Sequence, residues 1–335
     1  MMLKIPMLKI LATVFSVILL QATVIANDAP PEQLDPNLPI YRPLQRIEGE
    51  LKLGGSNTMS HVASVWADSF KQFYPEVKIS IDIFGSRKAV ASVKSGETNI
   101  GLLSRSLRRD EGSDFANALG YPPTVLTPCL ERAAIFVHKD NPIRGLTFAQ
   151  VDAIYSSTRN RGAPQAIRTW GELGVRGALA SQRVTAHGRG SDTGSQVFFQ
   201  EAIMLGGQMR KDLKSHKSNF EMLKALASDP TGIAFGGMSF ASPAVRAVPL
   251  AFAEGQPFVA VDSAEADHGH YPLVRRLQLV VNRNPKQKLS TLEQEFIKYA
   301  FSRQGQEDVV KAGFQAIAAP PARVALEAIG LGVAR

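Results

Sequence analysis

Along this chain, short apolar runs alternate with stretches in which apolar residues return every three or four positions. Val77, Ile79, Ile81 and Ile83 alternate with more polar residues, the period of a half-buried strand over 77–84. Met59, Val62, Trp66, Phe70 and Phe73 recur at helical spacing and predict a helix over 58–73. The same reading gives strands at 50–55, 99–104, 133–142, 183–188, 231–237 and 277–283. It gives helices at 88–96, 146–157, 196–205, 219–228 and 290–302. Local signals agree: Gly96 closes one helix, and Thr147 with Gln150, like Ser290 with Glu293, has capping-box spacing. Such alternation over 335 residues predicts an α/β architecture with parallel sheets, in a chain long enough for two lobes.

The first 26 residues depart from this pattern. Lys4 and Lys9 precede an apolar run shorter than the about 20 residues of a membrane span. Val24 and Ala26 then stand at the −3 and −1 positions of a cleavage site, the layout of a secretory signal peptide cut near Ala26. Residues 27–48 are rich in proline and polar side chains and read as a flexible leader. Cys129 is the only cysteine, which excludes an intrachain disulfide, a thiolate metal cluster and a lipid-bearing cysteine at the cleavage point. A formal net charge of +8 favours anionic partners. Without a dense Lys/Arg stripe interleaved with aromatics, nucleic acid is a poor fit.

One local design recurs where strands end. "GGSNT" (54–58), "GSR" (85–87), "SRS" (104–106) and "GRGSDTGS" (188–195) each follow a strand, and most precede a helix. In an open α/β sheet, ligands bind beyond the carboxyl ends of the strands, where helix N-termini offer free N–H groups and partial positive charge. Arg87, Arg105 and Arg189 could add guanidinium forks, and the only carboxylate in these loops is Asp192. The inventory is rich in donors and poor in acceptors, which suits a small tetrahedral oxyanion. Each loop by itself also fits plain helix capping, since Ser, Thr, Asn and Asp are the preferred N-caps. Spacing does not show that the loops converge.

Enzyme readings fit less well. "DTG" occurs once, whereas an aspartic protease needs two carboxylates sharing a proton. Gly190–Gly194 has Asp192 where a hydrolase elbow has serine, and no Walker loop is present. "DHGH" (267–270) could hold a metal only with a further ligand, and none is in view. We therefore expect neither a metal nor a cofactor.

Taken together, "GGSNTMSHVASVWADSFKQFYPEVKI", "FGSRKAVASVKSGETNIGLLSRSL", "AAIFVHKDNPIRGLTFAQVDAIYS", "TWGELG", "GRGSDTGSQVFF" and "YPLVRRLQLVVN" resemble segments of the PstS-type periplasmic phosphate-binding proteins, in order, over residues 50–330. The resemblance implies a two-lobed type II periplasmic-binding-protein fold. Each lobe would hold a mixed, mostly parallel sheet flanked by helices, with the ligand cleft between them. Lobe 1 would comprise 49–132 and 272–335, and lobe 2 would comprise 133–271, with hinge segments near 131–134 and 271–274. Ser56, Asn57 and Thr58, with the Met59 backbone, would form the first loop. Ser86 and Arg87 would form the second, and Ser104 with Arg105 the Ser-Arg pair. Arg189, Asp192, Thr193, Gly194 and Ser195 would form the last loop. There are departures: Thr-Gly-Ser replaces Ser-Gly-Thr, Arg87 replaces a small residue, and Arg105 stands where some relatives have the aspartate that takes the phosphate proton. Glu131 or Asp192 could supply that acceptor.

The resulting expectation is a non-enzymatic, monomeric receptor outside the cytoplasm. It would bind inorganic phosphate and deliver it to the permease subunits of an ABC importer. The alternatives are a receptor for sulfate, molybdate or a phosphonate, a diverged paralogue with a surface or signalling role, and a phosphatase using the same cradle.

Overall fold

Leu51 and Leu53 alternate with the exposed Glu50 and Lys52, and this alternation builds strand β1 (Gly49–Gly55) with one face in the core. The computed structural model describes residues 34–332 except 45, 264–265 and 267–269. Strand β1 pairs in parallel with β2 (Val77–Ile83) and β3 (Ile100–Leu103). Helix α1 (Ser60–Phe73) joins β1 to β2, and α2 (Ser86–Ser95) joins β2 to β3. Helix α3 (Arg109–Leu119) leads into β4 (Thr124–His138), whose 15 residues make it the longest strand described.

Strand β4 organises the rest. Its first half pairs antiparallel with β11 (Val274–Val281) and β12 (Gln315–Ala316). Its second half pairs antiparallel with β8 (Gly232–Gly237) and β9 (Val245–Val248). Beyond β8 lie β6 (Thr185–Arg189) and then β7 (Lys214–His216), both in parallel register. The strand order is therefore β2-β1-β3-β11-β4-β8-β6-β7. A separate parallel pair joins β5 (Leu146–Thr147) and β10 (Leu250–Ala251). The sheet is mixed because β4 and β11 run against their neighbours, a feature that strand–helix alternation does not reveal.

Two main hydrophobic cores flank this strand. Leu51, Leu53, Trp66, Phe70, Leu277 and Phe296 belong to the first, and Ile135, Tyr155, Trp170, Phe199, Phe235 and Leu273 to the second. Cys129 packs in the first core and Ala133 in the second, so β4 passes between cores at Glu131. Leu273 and Leu277 show the return crossing at the start of β11.

The first core is completed by α7 (Thr291–Ala300), α8 (Arg303–Lys311) and α9 (Ala319–Ala328). Among these, α7 has the expected capping box of Ser290 and Glu293. The expected box at α4 (Phe148–Tyr155) is also present, and Gly96 ends α2 at φ +80°.

The expected leader is a partial correction. Leu38, Tyr41 and Ile47 are buried in the first core, and the Tyr41 hydroxyl donates to Glu295 at 3.0 Å. Large apolar side chains spaced among the prolines anchor 34–48, which composition alone does not register. The expected signal peptide lies outside the described residues. No helix among the described residues is long and apolar enough to cross a membrane.

Candidate functional site

Glycine brings the first loop close to the sheet. Gly55 has φ +135°, and a Cβ there would lie 2.4 Å from the Leu102 carbonyl oxygen, so no other residue fits. The Ser56 N–H can then donate to that carbonyl at 2.9 Å, while the Thr58 N–H donates to Ser56 Oγ at 3.2 Å as α1 begins. Beyond β2, Gly85 (φ +88°) turns the chain so that Ser86 opens α2. Beyond β3, the Ser104 N–H donates to Ser86 Oγ at 3.1 Å, and the two hydroxyls lie 3.3 Å apart.

The second core supplies the opposite wall. Helix α5 (Gly194–Ala202) starts after β6, and Thr193 caps it by accepting from the Gln196 N–H. Helix α6 (Asn219–Leu226) adds Asn219, fully buried at its first residue. Thr58 Oγ1 lies 3.2 Å from Ser195 Oγ across the divide. A Cβ on Gly194 would lie 2.2 Å from Ser104 Oγ, so the two walls touch here. Between them is a cleft of about 290 Å³, onto which the N-termini of α1, α2 and α5 open. Three helix dipoles and their free N–H groups give it positive character.

The charges sharpen this character. Arg189, at the end of β6, is 4% exposed. Its Nη1 donates to Asn219 Oδ1 at 3.1 Å, its Nε has no partner, and no described carboxylate lies within ion-pair distance. Burial pulls its pKa from 12.5 to about 10; Glu221 opposes that shift, and Arg275 adds to it. Arg275 is also buried, opposite Glu131 in the β11–β4 register, and the two form an ion pair. The rim carries one charge of each sign, Asp192 and Lys217.

Behind Arg189 lies a polar chain. His187 Nε2 is 3.1 Å from Asp229 Oδ2, and His187 Nδ1 is 3.0 Å from His216 Nε2. Burial pushes both imidazoles below their ordinary pKa, and His187 also lowers that of His216.

Most of the expected residues meet. Ser56, Asn57, Thr58, Ser86, Ser104, Arg189, Asp192, Thr193, Gly194 and Ser195 all line the cleft. The Met59 side chain packs in the first core, and the residue is the N-cap of α1.

Three expectations are corrected. Arg87 is exposed in a separate surface groove with Lys94 and Arg108, because one helical step from the inward Ser86 turns it outward. Arg105 forks onto Glu111 at 2.8 and 2.5 Å, a carboxylate supplied by the first turn of α3. Glu131 is no free acceptor, since Arg275 and the Ser239 hydroxyl engage it. In the last loop, the helix cap is Thr193 rather than the neighbouring Asp192.

Sequence reasoning missed Asn219, Lys217 and Arg275. Only Arg275 left a signal. It shares the inward register of Leu273, Leu277 and Leu279, a place where an arginine needs a buried partner. "DHGH" falls mainly outside the described residues, and no metal-binding group of three occurs among those described.

Comparison with known proteins follows the same line. The family described as PBP superfamily domain matches residues 42–304. The phosphate-binding protein PstS of Pseudomonas aeruginosa is 37% identical over 298 residues, covering 89% of this chain and 92% of the relative. Among solved structures, a putative phosphate ABC transporter substrate-binding protein with bound phosphate from Clostridium perfringens aligns with a TM-score of 0.66. It is 22% identical, and the alignment covers 80% of this chain and all of that one. An ABC-type phosphate transport receptor from Vibrio cholerae gives a TM-score of 0.62 at 19% identity, with 80% of this chain and 100% of that chain covered. At such identities the structural likeness establishes the fold.

Proposed function

The chain belongs to the PBP superfamily and, within it, to the family of the phosphate-binding protein PstS; on that premise we propose that it is an extracytoplasmic receptor that binds inorganic phosphate and presents it to the permease of an ABC importer. The observation that carries this reading is Arg189. A buried guanidinium with no carboxylate partner among the described residues, ringed by hydroxyls and helix N-termini, is a site built for an anion. In this reading Ser56, Asn57, Thr58, Ser86, Ser104, Arg189 and Thr193–Ser195 hold the oxyanion. Residues 49–132 with 272–335, and residues 133–271, act as two lobes that close on it.

The chemistry of the hydroxyls supports binding over catalysis. Thr58 and Ser195 have Arg275 as a neighbour, and Asn219 also donates to Thr58. Cationic and amide donors do not take a proton from a nucleophile. The signal peptide and cleavage near Ala26 belong to the same proposal.

Isothermal titration with phosphate, sulfate, molybdate and a phosphonate tests it. Phosphate should bind with the highest affinity, and small-angle scattering should show compaction at saturation. Absence of phosphate binding by folded protein would overturn the reading. One observation favours a broader oxyanion receptor as the second reading: of the two carboxylates that could accept the ligand's proton, Glu131 is already engaged by Arg275, which leaves only the rim residue Asp192. Equal affinity for sulfate would select it.

A further inference from the structure

We propose that Arg275 is a positioning residue that fixes the Thr58 and Ser195 hydroxyls as hydrogen-bond donors toward the bound oxyanion. The inference rests on the phosphate-receptor reading and concerns how that site acquires its donor character. A hydroxyl has one hydrogen and two lone pairs, so by itself it can give or accept. What surrounds it decides which it does.

Apart from each other, the described hydrogen-bonding neighbours of these two hydroxyls can only donate. Thr58 Oγ1 accepts from Arg275 Nη2 at 3.3 Å and from Asn219 Nδ2 at 3.4 Å. The direction of the Asn219 amide follows from Arg189. That guanidinium has no acceptor to offer, so the atom facing it at 3.1 Å is Oδ1, and Nδ2 turns toward Thr58. Ser195 Oγ accepts from Arg275 Nη1 at 3.3 Å and Nη2 at 3.4 Å. Each oxygen then faces two donors, with the two Nη2 hydrogens shared among Thr58, Ser195 and Glu131. The close approach of Thr58 Oγ1 and Ser195 Oγ leaves neither as acceptor for the other, and both hydroxyl hydrogens are free for the cleft.

Arg275 itself has little left to give a ligand. Its Nε and Nη2 face Glu131, and its Nη1 also donates to the Ser104 carbonyl at 3.3 Å. Its guanidinium lies 5.4 Å from the Phe198 ring centroid, which backs it with an apolar surface. Arg275 therefore acts through the hydroxyls, whereas Arg189 keeps an unpartnered Nε. The two buried arginines divide the work. The other hydroxyl pair, Ser86 and Ser104, has among the described residues a single outside donor, the Ser104 N–H, and is not fixed in this way.

A double-mutant cycle read by titration with inorganic phosphate tests this. Arg275→Lys keeps the charge but loses the planar fork, and should weaken phosphate binding by about tenfold or more. Placed on a Thr58→Val, Ser195→Ala background, the same substitution should weaken binding by less than about threefold, because the groups through which it acts are gone. Equal losses in both backgrounds, or no loss in either, would overturn the inference. Should Arg275→Lys not fold, the paired change Glu131→Gln with Arg275→Gln enters the same cycle and is judged the same way. Wild-type protein that folds but binds no phosphate would overturn the receptor reading and this inference with it. A wild type that binds phosphate, with additive losses, overturns this inference alone.

Discussion

Replacing Arg189 with methionine should change binding and stability in opposite directions. Arg189 is 4% exposed and, among the described residues, makes a single side-chain hydrogen bond, to Asn219 Oδ1 at 3.1 Å. Its pKa falls from 12.5 to about 10, chiefly through burial. For a base, a lowered pKa penalises the charged form in the folded state. Each pKa unit is about 1.4 kcal/mol, so the penalty is about 3 kcal/mol. It applies in full below about pH 10 and therefore throughout the neutral range.

A methionine of similar length removes the penalty but leaves the buried Asn219 Oδ1 without that donor, at a cost of about 1–3 kcal/mol. The unliganded Arg189→Met protein should be more stable by up to about 2 kcal/mol, as when buried charges are replaced by apolar groups. Phosphate affinity should fall by about 2–5 kcal/mol, the cost of deleting one partner of a buried charge contact. Titration calorimetry and urea unfolding on the same preparation measure both. A variant that loses stability yet keeps its phosphate affinity would refute the reasoning, because Arg189 would then be a structural residue and the anion would lie elsewhere.

Glu131→Gln should destabilise the protein by about 3–5 kcal/mol in chemical denaturation, since it leaves Arg275 buried without its counter-charge; a loss under 1 kcal/mol would show that water or another group already compensates Arg275. Gly194→Ala should weaken phosphate binding by about 1–3 kcal/mol, measured by titration, because the walls must part to admit the added methyl. Its new Cβ would lie 2.2 Å from Ser104 Oγ and 2.8 Å from Ser86 Oγ, and unchanged affinity would mean that the walls do not meet this closely in solution. His187 has its pKa lowered by burial, so the unfolded chain takes up its proton first on acidification. The stability it contributes is present above its ordinary value of 6.5 and is lost as pH falls below it. Melting followed from pH 8 to pH 5 should therefore fall less steeply in His187→Gln than in wild type, and parallel slopes would remove His187 from the account.

Much of the fold could be read from periodicity, because helices α1, α2, α4, α6 and α7 and strands β2, β3, β6 and β8 carry their core faces as regular apolar spacing. Helix α3 could not. Of its residues, only Phe115 is buried, so it has almost no apolar stripe. Missing α3 led to the misreading of Arg105, because the carboxylate that holds it belongs to that helix. The loop residues of the site were legible because glycines and hydroxyls after strands are a local signature. Arg275 and Asn219 were not, since their roles arise from partners 217 and 161 residues away. Whether a charged side chain faces a ligand or a counter-ion is a long-range fact, and local patterns do not contain it.

The double crossing at β4 and β11 also bears on the order in which the chain matures. The second core is built from one unbroken stretch, Ala133 to Leu273, whereas the first joins Leu51 and Leu53 to Leu277, Phe296 and Phe301. Closing that long loop carries the larger entropy cost, and contacts between distant residues form late. We expect the middle of the chain to consolidate first, leaving Leu51 and Leu53 waiting for Leu277 and Phe296. Pulse-labelled hydrogen exchange during refolding should find the amides of β6 and β8 protected before those of β1; earlier protection of β1 would reverse the order. A chain with such a layout stays incomplete, and open to chaperones, until the residues from Leu277 onward have emerged.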